Sequence, residues 1–173
     1  MRILPRVLTA IILSSAIAAA EDVTWVATEA DEILDEFLED KWREDIERSP
    51  ELKNSLGIDE DQGKWTPVSA ARKREDAELA GARLTELEST ADFGRLSDAG
   101  KLNYDLYRYE LETALLHWEY QQNSYAFTRT SFDPYAARPQ YLVSRHRVVN
   151  IGGAENYIAR MVGLVGTLAE LTA

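Results

Sequence analysis

The strongest helical pattern in the chain lies at residues 101–122, which read KLNYDLYRYELETALLHWEYQQ. Apolar side chains recur there every three to four residues, which is the spacing of one face of an α-helix. That face consists of Leu102, Leu106, Tyr109, Leu116 and Tyr120, and it is widened by Tyr107, Leu111, Leu115 and Trp118. We expect this helix to begin at Ser97, whose hydroxyl can cap the amides near Gly100, and to run to about residue 122. Because more than half of its circumference is apolar, we expect it to be central to a helical bundle.

Four further helices are expected on either side of this stretch. The apolar spacing predicts them at about 24–48, 49–57, 69–88 and 153–171. Ser49 and Pro50 are typical of the first positions of a helix, and Gly57 is typical of a helix end. Residues 123–152 have no strong period, and we expect a long loop-like segment there. The sequence thus predicts an all-α fold, an irregular antiparallel bundle of about five helices.

The N-terminus has the organisation of a secretory signal peptide. Arg2 and Arg6 form a positive region, and an apolar run of 14 residues follows. The run ends in three alanines, which suit signal peptidase, so we expect cleavage after residue 20, with cleavage after Ala18 as a close alternative. An uncleaved membrane anchor is the other alternative, although spanning a bilayer takes about 20 apolar residues. The domain prediction is a signal peptide at 1–20 and a helical domain at 21–173, periplasmic or secreted, with no stable membrane anchor.

Composition narrows the classes of function. The chain of 173 residues has 30 acidic and 19 basic side chains, which gives a formal net charge of −11. Binding to nucleic acid or to an anionic membrane needs a basic face, so we expect neither partner. Cysteine is absent, so disulfides, thiol catalysis and thiolate metal sites are excluded. A hydrophobic content of 45% and a charged content of 28% are typical of a folded globular domain.

No catalytic arrangement is visible in the sequence. A zinc peptidase needs two histidines one helical turn apart and a glutamate, whereas the two histidines, His117 and His146, are 29 positions apart. Runs of acids are typical of a solvated helix face; a hydrolase that uses a carboxylate pair stays an open alternative that no particular pair supports. Gly152 and Gly153 are more typical of a plain helix start than of an anion site. We therefore predict no catalytic residue, no metal ligand and no cofactor, and a chain that is not itself an enzyme.

One segment differs in charge from the rest of the chain. Residues 123–152 contain four arginines and one aspartate, a local charge of +3, together with several aromatic side chains. A partner surface would explain this composition, and so would a segment that folds back across the chain's own helices. The residues expected to contact a substrate or partner are Arg138, Tyr141, Arg145, His146 and Arg147. The last helix is apolar on most sides, so self-association through it is a second expected contact.

Several short motifs recur in an order that resembles a known family. They are Ser49-Pro50-Glu51, Gly63-Lys64-Trp65-Thr66, Asn103-Tyr104-Asp105-Leu106, His146-Arg147 and Glu155-Asn156-Tyr157-Ile158-Ala159-Arg160-Met161. Together they resemble the N-terminal part of the bacterial "domain of unknown function 885" family, over about residues 24–173. The resemblance implies a mostly helical, zincin-like metallopeptidase-like protein, several times longer and often exported, whose zinc-binding helix lies in the C-terminal portion. No stretch here matches that helix, so zinc is implied only for full-length relatives.

Two hypotheses about function follow. In the first, the chain is the exported N-terminal helical portion of a metallopeptidase-like protein, non-catalytic because the zinc-binding half is absent, and its partner is the missing C-terminal half. In the alternative, it is a freestanding exported helical binding or interaction module that folds without a partner. The hypotheses differ at the last helix, because a helix that has lost its partner should expose a larger apolar patch than monomers usually do.

Overall fold

The computed structural model of the chain describes residues 27–121 and 133–172. The helices in these ranges are α1 (Glu29–Arg48), α2 (Pro50–Ser55), α3 (Ala70–Thr90), α4 (Asp98–Glu119), α5 (Asp133–Ser144) and α6 (Ile151–Thr172), with a short 3-10 helix at Phe93–Arg95. The described ranges contain no strand, and the predicted all-α fold is confirmed. The predicted signal peptide lies outside these ranges and stays a prediction.

Side-chain caps mark the starts of the first four helices. At α1, the Thr28 hydroxyl accepts the amide of Asp31 while the Asp31 carboxylate accepts the amide of Thr28, which is a reciprocal capping box. The hydroxyls of Ser49, Ser69 and Ser97 each accept the amide three residues further on. Each cap satisfies a backbone donor that has no partner inside its helix. The helix starts predicted at Ser49 and Ser97 are therefore confirmed.

Helices α1, α3 and α4 pack against one another around one apolar core. The core residues are Ala30, Leu34, Phe37, Leu87, Ala91, Leu96 and Tyr104, with Leu38 and Tyr107 packed against them. The rings of Phe37 and Tyr107 meet edge to face, with centroids 5.9 Å apart. Burial of each large apolar side chain contributes about 1.5–3 kcal/mol to folding, so this core gives the described chain a folded centre of its own.

Part of the acidic face of α1 pairs with cations from neighbouring helices. The buried Arg83 guanidinium of α3 lies 2.9 Å from a Glu44 carboxylate oxygen and 2.8 Å from one of Asp45. The hydrogen bond from Arg83 is the largest cause that lowers the pKa of Glu44. The buried Lys53 ammonium of α2 lies 2.6 Å from Glu47. These acids stay largely exposed, as expected for a solvated face, and they also join α1 to α2 and α3.

Helices α5 and α6 pack against each other, and the loop at 56–69 runs along α6. A Cβ on Gly63 of this loop would lie 3.0 Å from the Asn156 side-chain oxygen, so the backbone of the loop approaches α6 closely there. Further along, the amide of Val68 donates to the Glu170 carboxylate at 3.0 Å. The loop thus connects the α5–α6 pair to the helices of the core.

The structure corrects the expectation of a loop-like segment at 123–152. Residues 133–144 form α5, which makes six helices where about five are expected. The sequence does not predict this helix because it contains two prolines, Pro134 and Pro139. Pro134 lies in the first turn, where a helix needs no amide donor, and Pro139 lies inside the helix. Residues 122–132, including Arg129, lie outside the described ranges.

The carboxylate of Asp31 joins the starts of α1 and α4. It accepts the amides of Thr28 at 2.7 Å and Ser97 at 3.1 Å. Hydrogen bonds to the charged form, from the Thr28 amide above all, hold the pKa of Asp31 below its usual range. Glycine at position 100 leaves room for this carboxylate, because a Cβ there would overlap the Asp31 oxygen.

We predict that Gly100→Ala destabilises the chain by about 1–3 kcal/mol, because the new methyl group must displace the Asp31 carboxylate or the start of α4. Gly81→Ala is the matched control, since a Cβ on Gly81, in α3, would contact only Leu115 at 3.9 Å. Alanine there should leave stability unchanged or raise it by about 0.5–1 kcal/mol. Urea unfolding followed by circular dichroism measures both, and equal effects would contradict the tight fit at Gly100.

We predict that Asp31→Asn lowers stability at neutral pH and that this difference from the wild type vanishes in acid. The folded-state pKa of Asp31 lies below the unfolded value of about 3.9. The contribution of the carboxylate is therefore complete above the unfolded pKa and is lost as the pH falls through the folded one. Urea midpoints measured from about pH 6 downward should converge. Asp35→Asn, on the exposed side of α1, should show no comparable convergence; a gap at Asp31 that persists in acid would refute the assignment.

Candidate interaction site

Arg160 is the centre of the contacts between α6, α2 and the loop at 56–69. It is 0% exposed. Its Nε donates to the Lys64 carbonyl at 2.9 Å, its Nη2 to the Pro50 carbonyl at 3.2 Å, and its Nη1 to Nδ1 of His146 at 3.2 Å. Among the residues that the structure describes, no carboxylate forms an ion pair with it. The cost of burying this cation is thus offset by hydrogen bonds to backbone carbonyls and an imidazole.

The ring of Trp65 contacts two arginines. The guanidinium carbons of Arg138 and Arg160 are each 5.2 Å from the centre of its ring, within the range of a cation–π contact. The indole nitrogen of Trp65 donates to the Arg160 carbonyl at 2.8 Å, and the Tyr141 ring meets the indole edge to face at 5.9 Å. We call Trp65, Arg138, Tyr141, His146 and Arg160 the arginine junction.

Three of the five residues predicted to contact a partner lie in the arginine junction. Arg138 donates from Nη2 to the Thr66 carbonyl, and burial lowers the pKa of its guanidinium. The Tyr141 hydroxyl forms hydrogen bonds of 2.9 Å with the Glu51 carbonyl and the Asn54 side chain. These contacts join α5 to α2 and its loop. The segment therefore folds back across the chain's own elements here, which is one of the two explanations of its composition.

His146 is buried and uses both ring nitrogens within the chain. Because Nδ1 accepts from Arg160, the proton of the neutral imidazole is on Nε2, which donates to the Gly153 carbonyl at 3.1 Å. The Tyr157 ring lies edge to face with it at 5.4 Å. His146 therefore connects the start of α6 to its middle. His117, the other histidine, is exposed on α4, as expected for a surface residue.

The remaining two predicted residues, Arg145 and Arg147, are exposed in the connection between α5 and α6. Val148 and Val149 beside them are exposed as well. The structure thus separates the five residues into three that pack inside the chain and two that face outward. Contact of any of them with a substrate or partner stays a prediction.

Two residues of the arginine junction, Trp65 and Arg160, are not singled out as functional by the sequence analysis. Both lie within the motifs that carry the family resemblance. Arg160 is the only charged residue of the sequence between Glu155 and Glu170. A lone arginine in a long apolar helix is therefore the signal that points to a buried cation here.

The apolar stripe of α4 faces away from the core. The side chains that α4 turns inward are those of Tyr104 and Leu111, with Tyr107, Leu115 and Trp118 half-buried. The outer stripe of α4, which is 52–67% exposed, consists of Leu102, Leu106, Tyr109, Leu116 and Tyr120. Within the described ranges α4 thus packs through one face only, and the expected central position is not reached. The periodicity shows that both faces are apolar, but not which of them has a neighbour.

Helix α6 has the same two-sided character. Its inner face carries the buried residues Gly153, Arg160 and Thr167, spaced seven apart. The outer stripe of α6, which is 51–80% exposed, consists of Ile151, Ile158, Met161, Val162 and Val165. A helix that is packed on one side and apolar on the other is typical of a position between two layers. The described chain supplies one of these layers.

The described residues hold neither a metal-binding cluster nor a helix that could span a membrane. No group of three or more acidic or histidine side chains is placed to hold a metal ion. In the same ranges, no helix combines the length and the apolar character that crossing a membrane requires.

These features define an all-α domain with a small core of its own and two helices that expose apolar outer faces. The chain belongs to the family described as bacterial protein of unknown function, DUF885, whose model matches residues 50–173. The resemblance stated from the motifs is thereby confirmed over these residues, and the whole of α1 and its cap precede the matched region. Comparison with curated proteins and with solved structures gave no match.

We predict that Arg160→Lys destabilises the chain by about 2–4 kcal/mol, because one ammonium cannot reach acceptors in three directions and leaves buried ones unpaired. Arg147→Lys, at an exposed position of equal charge, should change stability by less than about 0.5 kcal/mol. Urea unfolding of the two variants tests this. A small effect of Arg160→Lys, similar to that of the control, would show that the arginine junction does not anchor α6.

Proposed function

We propose that this chain is the N-terminal helical portion of an exported, metallopeptidase-like protein of its family. By itself it is non-catalytic, because the zinc-binding half is not part of it. Its contribution is to present the outer stripes of α4 and α6 to the C-terminal half, which covers them as the second layer of a common domain. The observation that carries the proposal is the apolar outer face on each of these two helices.

The exposed apolar area of the two outer stripes supports the proposal that a second layer covers them. From their exposed fractions, each outer stripe amounts to roughly 600 Å² of apolar surface. The largest apolar patch on a typical monomer is about 300–600 Å². The chain therefore has two faces that each reach the upper end of this range. Covering both removes on the order of 1,000 Å² of apolar surface from water, enough for a stable interface.

The arginine junction also supports the proposal, because its contacts hold α6 in a fixed orientation. Arg160 on the inner face is held by three hydrogen bonds from its side chain, and Trp65 packs on it. Because the outer stripe lies on the opposite side of the same helix, these contacts fix its direction. An interaction surface that is already ordered loses less conformational entropy on binding.

A second candidate is a freestanding exported interaction module. The observation in its favour is that the core around Leu34 and Leu87, and the arginine junction, are completed by residues of this chain. In both candidates residues 1–20 direct export to the periplasm or the medium and are removed.

The intact mass of the exported protein from its native host separates the two candidates. The proposal predicts a protein several times heavier than residues 21–173, with zinc and peptidase activity to be assayed on that whole protein. A mass equal to that of residues 21–173 would overturn it in favour of the freestanding module.

We predict that the chain purified after export binds a hydrophobic dye in its native state. Leu106→Lys combined with Val162→Lys should reduce dye fluorescence by at least about half without lowering the thermal midpoint, since both side chains are exposed. Glu78→Lys, at an exposed position of α3, is the control and should leave the signal unchanged. A wild-type chain that binds no dye below its unfolding transition would contradict the exposed stripes.

A further inference from the structure

The buried contact between Arg160 and His146 requires a neutral imidazole. Both side chains are buried, and Nη1 of Arg160 lies 3.2 Å from Nδ1 of His146. A guanidinium has donors and no acceptor, so Nδ1 must offer its lone pair to this hydrogen bond. The inner side of α6 is therefore held by a histidine whose Nδ1 carries no proton.

A second proton on His146 would abolish this contact. A protonated imidazole has an N–H group on each nitrogen and accepts no hydrogen bond, so Nη1 of Arg160 would lose its acceptor. Two cations would also face each other across the 3.2 Å that separates Nη1 from Nδ1. The repulsion is stronger in a buried site, because less water is present to screen the two charges.

The groups around His146 do not offset a second positive charge. Its own connection adds two exposed cations, Arg145 and Arg147. The other titratable side chains of the elements packed around it are Glu51, Lys53, Asp59, Glu60, Asp61, Lys64, Tyr141, Glu155 and Tyr157. Glu51 accepts the amide and hydroxyl of Thr66, and Asp61 pairs with Lys53 and Lys64. Within the described ranges, no carboxylate bonds to His146 or Arg160.

Loss of this contact acts first on the attachment of α6. The Arg160 guanidinium also donates to the carbonyls of Lys64 and Pro50, and so joins α6 to the loop at 56–69 and to α2. The core of α1, α3 and α4 contains neither Arg160 nor His146. Repulsion between these two side chains therefore opens the inner side of α6 while the core keeps its own contacts.

We propose that His146 makes the attachment of α6 sensitive to pH, holding Arg160 in place near neutral pH and releasing the inner side of α6 in mild acid. Histidine changes its charge between about pH 8 and 5. The opened form takes up a proton that the closed form does not bind, so the closed form loses stability as the pH falls. The proposal concerns the inner side of α6 and holds whichever partner covers the outer stripe.

Hydrogen exchange followed by mass spectrometry tests the proposal segment by segment. In the purified wild type, protection factors across residues 154–167 should fall about tenfold between pH 7.5 and 5.5, the change expected when opening frees one ordinary histidine to bind a proton. Protection factors, unlike raw rates, are corrected for the direct effect of pH on exchange. Peptides of α3 around Leu87, which lies in the core, should keep their protection at both pH values.

Two variants that cannot take up the proton identify the residue responsible. His146→Asn offers Arg160 an oxygen acceptor that stays neutral, and His146→Gln is the second choice if asparagine lowers the helical circular dichroism. In either variant, protection of α6 should be the same at pH 7.5 and 5.5. His117→Asn removes the only other histidine, which is exposed on α4, and should retain the tenfold fall.

The opposite results would overturn the proposal. They are a wild type whose α6 is equally protected at both pH values, or a fall that persists in His146→Asn and His146→Gln. A fall that disappears in His117→Asn would assign the effect to the wrong histidine. An equal fall in the peptides of α3 would show that acid unfolds the core as well, which contradicts the release of α6 alone.

Discussion

The buried guanidinium of Arg160 is the constraint on which the arrangement of the second half of the chain depends. A cation removed from water must have its donors satisfied, since each buried unpaired donor costs about 1–3 kcal/mol. Here the partners are two backbone carbonyls, from Lys64 and Pro50, and the ring of His146. Because these groups come from α2, the loop at 56–69 and the connection between α5 and α6, satisfying one side chain places three segments relative to the middle of α6.

This arrangement decides which side of α6 is open. Gly153, Arg160 and Thr167 occupy the inner side, so the aliphatic residues between them are directed outward. The core of α1, α3 and α4 places α4 in the same situation, with Tyr104 and Leu111 inside and the outer stripe exposed. A chain with a net charge of −11 thus presents an uncharged apolar stripe on each of these two helices. Such surfaces are typical of proteins that bind another layer or another copy.

The structure also shows what the candidate contact residues of the segment at 123–152 bind. Its composition suggests a partner surface, but Nη2 of Arg138, the Tyr141 hydroxyl and both ring nitrogens of His146 form hydrogen bonds within the chain, while Nη1 of Arg138 is buried without a partner among the described residues. Only Arg145 and Arg147, of the five candidates, face outward. Of the arginines of the segment that the structure describes, Arg138 attaches α5 to the loop at 56–69, whereas Arg145 and Arg147 stay exposed.

Local sequence was sufficient to predict the helices with clear periodicity and caps, including the starts at Ser49 and Ser97. Capping and apolar spacing depend on residues within one helical turn of each other. It was not sufficient to predict α5, because this helix contains two prolines and is supported by packing against α6. It also showed that α4 and α6 are apolar on most sides, but periodicity does not state which face has a neighbour. The buried role of Arg160 depends on residues 14 and 96 positions away, His146 and Lys64, and such long-range contacts exist only after the chain has folded. Tertiary structure therefore decided which apolar faces are closed, which stay open, and which charges lie inside.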